Sequence, residues 1–441
     1  MERSFYLENF GCRATQADGA AIERQLLDKG LARAADFTEA EVVVLNTCTV
    51  TSSADQDARA TIRRIHRQNP GARILVTGCY AQRAPEEIAQ IPGVSVVVGN
   101  SHKSRLAEIA GRQGFVSLES LGSGEIVVGD IFAHTELMAA PVFEADTASE
   151  KTRPNLKVQD GCNNRCSFCV IPYVRGKSRS LRVEEVVREA RALVGLGYKE
   201  IVLSGINLGR WGRDLEGRSR FVELLRAMLA GTEIRKIRIS SVEPMDWSDD
   251  LIELVASSPR ICKHAHVPLQ SGSDCILRRM HRKYRPWHYA DRIEKIRAAM
   301  PTAAIGADVM VGFPGETAVE FEETRAFIES LPFTYLHVFT YSSRPGTPSA
   351  TMPDQVRGDV TRDRNRILRE LAAQKKREFQ EQFIGRELEA ITLTNLENGR
   401  TEALTDNYQK MWIEGQWEAN RLRLVRIDAI EGESLVGRIV S

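Results

Sequence analysis

The sequence predicts an α/β chain in three parts: an N-terminal open parallel α/β sheet domain, a central partial (β/α)6 barrel, and a small antiparallel β module at the C-terminus. Three observations predict it. Short apolar runs alternate with helical segments from Phe5 to about Asn100, the rhythm returns from Asn155 with six candidate strands, and the last stretch holds short strands separated by turn residues.

In the first part the strands are Phe5 to Asn9, Val42 to Leu45, Ile74 to Thr77 and Val94 to Val98. One helix runs from about Gln16 to Lys29 and stops at Gly30, and another from about Ser53 to Gln68 stops before Pro70 and Gly71. Residues 101–150 lose the rhythm, and the small polar residues Ala145 to Ser149 read as a linker. The second run places strands at Leu156 to Gln159, Glu200 to Ser204, Lys236 to Ser240, His264 to Leu269, Ile305 to Val311 and Tyr335 to Thr340, too few for a full eight-stranded barrel. A charged helix spans about Val360 to Phe383, and strands follow near 389–393, 401–404, 410–413 and 422–427. The expected domains are 1–125, a linker 126–150, 151–383 and 384–441.

At 441 residues with 42% hydrophobic side chains the chain can bury a sizeable core, and a net charge of +1 excludes a globally basic nucleic-acid binder. Attraction for RNA must then come from local patches. The N-terminus lacks the basic and apolar regions of a signal peptide, and no apolar stretch is long enough to span a bilayer, so a cytoplasmic protein is expected. In that setting eight cysteines point to metal binding or catalysis before disulfides.

Cys162, Cys166 and Cys169 follow a C-x3-C-x2-C spacing. A structural zinc wants four ligands, commonly as two pairs, and no second pair lies nearby. A bacterial ferredoxin needs a fourth cysteine before a proline, whereas Val170, Ile171 and Pro172 follow here. Three thiolates on a four-iron cluster leave one iron open to a small molecule. A second trio, Cys12, Cys48 and Cys79, stands just after three strands of the first domain, where open parallel sheets bind ligands. Gly11 and Gly78 beside them permit close backbone approach. Cys262 and Cys275 lack such placement and read as core or incidental.

The first spacing resembles the signature of the radical S-adenosylmethionine enzymes. With both trios in this order, the whole chain resembles the methylthiotransferases of that superfamily, and Asn46 to Thr51 and Val338 to Pro348 resemble the branch acting on N6-threonylcarbamoyladenosine in tRNA. Thr15 stands where that family commonly has asparagine, which touches only a hydrogen bond behind the ligand Cys12.

The resemblance implies a radical S-adenosylmethionine barrel, a C-terminal module of the TRAM type, two [4Fe-4S] clusters, and S-adenosyl-L-methionine as cofactor. It implies that the Cys162, Cys166 and Cys169 cluster generates a deoxyadenosyl radical and that the Cys12, Cys48 and Cys79 cluster supplies sulfur. Ser204, Gly205, Asn207, Ser240, Glu243, Gln270, Ser271 and Asp308, at strand ends of the barrel, are the expected cofactor-binding residues. His264 and His266 alternate with apolar residues in a strand and are read as structural. No catalytic residue beyond the cluster ligands is assigned.

Two basic runs are candidates for the tRNA anticodon stem-loop. Arg153 to Arg182 contributes Arg175, Lys177 and Arg179, and Arg278 to Tyr289 contributes Arg282, Lys283 and Arg285 among aromatics that stack on bases. The C-terminal module is acidic on balance, so its RNA binding rests on the resemblance and on Tyr408, Trp412 and Trp417. A monomer with a flavodoxin or ferredoxin as electron donor is expected. The alternatives are a methylthiotransferase for isopentenyladenosine in tRNA or for a ribosomal protein, and a non-catalytic iron-sulfur RNA-binding protein.

Overall fold

A computed structural model describes residues 3–111, 124–134, 137 and 152–440. The chain forms two compact units. The first comprises residues 1–141, 157–181 and 342–350, and the second 142–156, 182–341 and 351–441.

The first unit is built on a six-stranded sheet in the order Ala32–Arg33, Ser4–Asn9, Val42–Thr47, Arg73–Gly78, Val94–Gly99 and Glu125–Val127, with every pair parallel. The sequence reading finds the four inner strands. The two outer ones are two and three residues long, too short to show a pattern. The inner strands read as unbroken apolar runs because both faces are covered. In Val42–Thr47, Val43 and Leu45 pack with Ile62, Ile65 and Ile88 on one side, while Val42 and Val44 pack with Ile22, Leu26 and Leu106 on the other. Of the expected linker 126–150, Ile126 and Val127 belong to the edge strand, while 135–136 and 138–150 lie outside the described residues.

Helix Arg13–Asp28 ends with Gly30 at φ +78°, the left-handed turn that glycine accepts without strain. Helix Ser52–Gln68 begins at Thr51, whose side chain accepts the Ala54 N–H.

Two three-stranded sheets lie largely in the second unit, with Glu200–Ser204 parallel to Lys236–Ile239 in one and all three strands parallel in the other. One has the order Lys236–Ile239, Glu200–Ser204, Asn155–Lys157, the other His264–His266, Ala304–Val311, Tyr335–Thr340. A bridge between Ile237 and Ile261 and a hydrogen bond from the Val242 N–H to the His266 carbonyl at 3.0 Å link them. Helices Val183–Gly195, Phe221–Gly231, Asp249–Ser257, Pro286–Ala299 and Ala318–Ser330 intervene, giving the incomplete barrel expected from the six strands. No described helix is long and apolar enough to cross a membrane.

Helix Gly358–Glu381 leads into a closed five-stranded barrel in the order Glu387–Glu397, Arg400–Thr405, Lys410–Glu414, Ser434–Ile439, Leu422–Glu431. The last strand escapes the sequence reading. Its pairing with Lys410–Glu414 is parallel, so the module is not purely antiparallel. The module belongs to the same unit as the (β/α) strands. Phe379 of the connecting helix and Phe383 just after it pack with Ala304, Met411, Ile413 and Val425. Arg238, fully buried, donates from Nε to Glu200 at 2.7 Å and from Nη2 and Nη1 to the carbonyls of Thr405 and Asp406, each at 3.1 Å.

Removing one member of a buried ion pair strands the other charge, at a cost of about 3–5 kcal/mol. Arg238→Leu is therefore expected to lower the free energy of unfolding, measured by urea titration, by an amount on that order. The double variant Arg238→Leu with Glu200→Leu should recover part of the loss.

Candidate metal centres and the residues around them

The register of the first sheet brings its strand ends level: Asn9 lies opposite Asn46, and Thr47 opposite Gly78. Cys12, Cys48 and Cys79 therefore leave the sheet along one edge. Cys12 stands at the N-cap of helix Arg13–Asp28 with its side chain free of capping duty, and Cys79 opens the short helix Cys79–Arg83. Gly11 sits at φ +100°, and a Cβ there would fall 2.9 Å from Cys48 Sγ. Gly78 sits at φ +103°, where a Cβ would fall 2.3 Å from the Thr47 carbonyl oxygen. Both positions demand glycine for conformation and for space.

Burial, and then the nearby Cys79 and Cys12, push the Cys48 thiol up to about 12. A thiol in that state is protonated at neutral pH, so a metal must displace its proton. Thr15 Oγ1 lies 3.6 Å from Cys12 Sγ, so the threonine at this position keeps a polar contact to the sulfur. Asn100 Nδ2 donates to Cys79 Sγ at 3.6 Å. All the cysteines are free thiols.

Among the described residues no three cysteine sulfurs lie within 4.8 Å of one another. Tetrahedral thiolate ligands of one zinc would stand about 3.8 Å apart, given bonds of about 2.3 Å. Ligands of a multi-iron cluster sit on separate corners and need not approach so closely.

A buried charge network lies behind these thiols. Arg175, 2% exposed, donates from Nη1 to both Asp160 oxygens at 3.1 Å and from Nη2 to Asp18 Oδ2 at 3.0 Å and Thr15 Oγ1 at 3.4 Å. Lys103 Nζ donates to Asp18 Oδ2 at 2.9 Å, and Lys157 Nζ reaches Asp160 Oδ2 at 3.1 Å and also pairs with Asp18. Three cations thus face two carboxylates, around a cavity of about 360 Å³. Burial alone would raise the carboxyl of Asp18, but the charges of Lys103, Lys157 and Arg175 outweigh it and hold the group well below the usual range. Asp160 behaves alike under Arg175 and Lys157. The unmatched positive charge suits thiolates, since charges on Cys79 and Cys12 in turn stabilise the Arg175 guanidinium.

The Cys162 to Cys169 loop leaves the antiparallel pair Gln159–Asp160 with Arg179–Ser180 and ends in helix Ile171–Arg175. Its backbone is tied by Cys162 N–H to the Gly176 carbonyl and Cys169 N–H to that of Cys166, both at 3.1 Å. The Asn164 N–H donates to Cys162 Sγ at 3.4 Å. All three cysteines are half-buried, open enough to receive a cluster.

In the second unit, Ser204 is buried and its Oγ makes no hydrogen bond among the described residues. An orphan hydroxyl at a strand end fits a missing polar ligand. Gly205 and buried Asn207 follow it, and Ser240 ends the next strand. Gln270 adopts φ +67° and bridges to Val309. Glu243 is engaged by Arg282, and Asp308 Oδ1 lies 3.4 Å from His266 Nε2. Ser271 departs from expectation: it is fully buried, bonds Thr324 Oγ1 at 3.0 Å and accepts the Ser273 N–H, so it has no face for a cofactor. His264 fits its structural reading, held by the Tyr335 hydroxyl at 2.7 Å and stacked on Tyr408.

The basic runs are corrected by burial. Arg175 sits inside the charge network, and Arg282 is buried against Glu243 and Tyr284, so neither reaches a phosphate. Arg285 pairs with Asp274 at 3.1 Å, and Arg179 donates to the carbonyls of Arg175 and Lys177. Lys177 and Lys283 are exposed. Cys262 is a core residue whose thiol burial pushes up, and Cys275 is exposed on a short helix. The sequence reading misses Asp18, Lys103 and Asn100. One signal existed, because Asp18 lies on the stripe of helix Arg13–Asp28 that carries buried Ala14, Ala21 and Ile22.

Two outcomes follow for the cluster-free chain. Iodoacetamide at pH 8 should alkylate exposed Cys12 well before buried Cys48, as read by peptide mass spectrometry. Because the folded carboxyls of Asp18 and Asp160 are depressed, the stability they contribute is complete above the ordinary carboxylate range, near pH 4, and is lost as pH falls below it. Arg175→Gln should remove on the order of 3–5 kcal/mol of stability at pH 7 and flatten that acid dependence, measured by urea unfolding at several pH values.

The model of the radical SAM superfamily matches residues 156–328, and that of Uncharacterized protein family UPF0004 matches 4–99. The threonylcarbamoyladenosine tRNA methylthiotransferase MtaB of Bacillus subtilis is 41% identical over 92% of this chain and 89% of its own length. Its namesake from Aquifex aeolicus is 38% identical over 95% and 99%. The tRNA-2-methylthio-N(6)-dimethylallyladenosine synthase of Saccharopolyspora erythraea is 33% identical over 100% and 87%. Among solved structures, the radical S-adenosylmethionine methyltransferase TsrM of Kitasatospora setae shares the fold with a TM-score of 0.56 at 16% identity, over 79% of this chain and 75% of its own. With its two cysteine trios on an α/β scaffold of this kind and relatives this similar along nearly its whole length, the chain belongs to the radical S-adenosylmethionine methylthiotransferases, on the threonylcarbamoyladenosine tRNA branch.

Proposed function

We infer that the chain inserts a methylthio group at C2 of N6-threonylcarbamoyladenosine beside the anticodon of tRNA. The likeness to the Bacillus subtilis protein across 92% of the chain carries this reading. The adenine C2–H bond is neither acidic nor weak, so acid–base chemistry by side chains is no route to it. A reduced [4Fe-4S] cluster with S-adenosyl-L-methionine supplies, when bound, the one-electron chemistry such a bond requires.

The residues divide the work. Cys162, Cys166 and Cys169 hold the cluster that leaves an iron open, and the loop's backbone ties fix its geometry. Cys12, Cys48 and Cys79 hold the second cluster, with Arg175, Lys103 and Lys157 compensating its thiolates. Ser204, Gly205, Asn207 and Ser240 bind the cofactor's polar groups, with Ser204 Oγ offering the hydroxyl the protein leaves unbonded. Glu243 and Gln270 are weaker cofactor contacts. Lys177 and Lys283 are the members of the two basic runs that remain open to RNA phosphates. A flavodoxin or ferredoxin donates the electron, and the chain acts in the cytoplasm as a monomer.

Mass spectrometry of tRNA nucleosides, from cells with and without the chain, tests the reading: loss of the 2-methylthio derivative of threonylcarbamoyladenosine supports it. Loss from dimethylallyladenosine instead would move the substrate to the other tRNA branch. The reconstituted protein should hold about eight irons, four per cysteine trio. Cys162, Cys166 and Cys169 changed together to alanine should halve the iron and abolish reductive cleavage of S-adenosylmethionine. Cys12, Cys48 and Cys79 changed to alanine should halve the iron, keep cleavage and stop methylthio insertion.

Lys177→Ala with Lys283→Ala should weaken tRNA binding and reduce the log–log salt slope by roughly 0.7–0.9 for each phosphate no longer neutralised. Iron content should not change. An unaltered slope would place the RNA-binding surface elsewhere.

A further inference from the structure

We propose that His266, Asp308 and His337 form a divalent-metal site in the second unit. The three residues lie on adjacent parallel strands, His264–His266, Ala304–Val311 and Tyr335–Thr340. Asp308 is in register with His337, and His266 with Gly306, two residues before Asp308 and so on the same face of its strand. Among the described residues theirs is the single group of three metal-ligating side chains whose ligand atoms all lie within 4.8 Å of one another.

His266 carries the argument. It is 7% exposed, yet its Nε2 makes no hydrogen bond. Its other nitrogen, Nδ1, lies 2.8 Å from Ser241 Oγ. A metal-ligating imidazole commonly donates its second ring N–H to an oxygen in this way, which leaves the first nitrogen's lone pair for the ion. In that tautomer Nε2 faces a carboxylate oxygen of Asp308 across 3.4 Å, lone pair to lone pair. Two acceptors at that separation repel unless a positive charge lies between them.

The spacing suits a metal ion. Two ligands bound at about 2.0–2.1 Å in tetrahedral geometry stand about 3.4 Å apart. His337, exposed on its strand, has its ligand atom within 4.8 Å of those of the other two. It also lines an open cavity of about 910 Å³, with Tyr335, Phe339 and Tyr408, which gives an ion a path from solvent. Two imidazoles and one carboxylate on one side of an ion leave positions opposite for water or an oxygen ligand, an arrangement that takes zinc, manganese or iron(II). The site is distinct in chemistry from the trios, being of nitrogen and oxygen where they are of sulfur.

Manganese(II) is the probe, because it prefers nitrogen and oxygen to thiolate and its spin is read by electron paramagnetic resonance while oxidised four-iron clusters stay silent. Titration of the cluster-loaded full chain should show one saturable manganese per chain, competed by zinc. Asp308→Asn and, separately, His337→Gln should each weaken it at least tenfold, with iron content and circular dichroism unchanged. If Asp308→Asn fails to fold, His337→Gln decides, since its side chain is exposed. No saturable manganese, or manganese that persists at full affinity in the folded variants, would overturn the proposal and leave a proton shared between His266 and Asp308 as the charge that separates them.

Discussion

The buried guanidinium of Arg175 is the interaction on which the first unit depends. Its two terminal nitrogens reach Asp18 and Thr15 on the first helix and Asp160 before the Cys162 loop, while Lys103 and Lys157 complete the pairing from two further segments. Stretches far apart in sequence are thereby fixed to one another by charge among buried side chains. Each member alone would be costly to bury, and only as a set do they hold each other ionised. Their excess of one positive charge stands beside the thiols of Cys79 and Cys12, whose negative charge would stabilise the Arg175 guanidinium in turn. Structural closure of the unit and the electrostatics around Cys12 and Cys79 thus rest on the same atoms.

The second unit uses the same device for a different end. Arg238, paired with Glu200 inside the barrel, directs its other donors to the carbonyls of Thr405 and Asp406, and Lys236 adds an ion pair to Asp406 at 3.1 Å. The acidic residues of the C-terminal module are therefore in part ligands for barrel cations. An acidic composition that argues against RNA binding when read as surface charge has, for Asp406, a structural explanation. Tyr408, singled out as a base-stacking aromatic, stacks instead on His264.

The fold was legible wherever burial imposed a period. Val42–Thr47 and Arg73–Gly78 are covered on both faces and show it as apolar runs, and helix Ser52–Gln68 was bounded to within a residue, its end marked by Pro70 and Gly71. Ala32–Arg33 and Glu125–Val127 were not legible, since strands of two or three residues at sheet edges carry no pattern and exist because a neighbour offers unpaired backbone groups. The parallel pairing of the last strand of the β module likewise follows from closure of the barrel, a property of the whole set of strands.

The sequence by itself determined the candidate chemistry: the spacing of Cys162, Cys166 and Cys169, and the position of Cys12, Cys48 and Cys79 after successive strands, are local facts, and the parallel sheet carries the second trio to one edge. Which polar side chains serve the surface and which the interior was decided by tertiary structure alone. Arg175 and Arg282 look no different in sequence from Lys177 and Lys283, yet the first two are buried in ion pairs and the others face solvent. A charged side chain is buried only when opposite charges arrive from elsewhere in the chain to offset its desolvation. For Arg175 one of those partners is Asp18, more than a hundred residues away, and no pattern local to the arginine contains it.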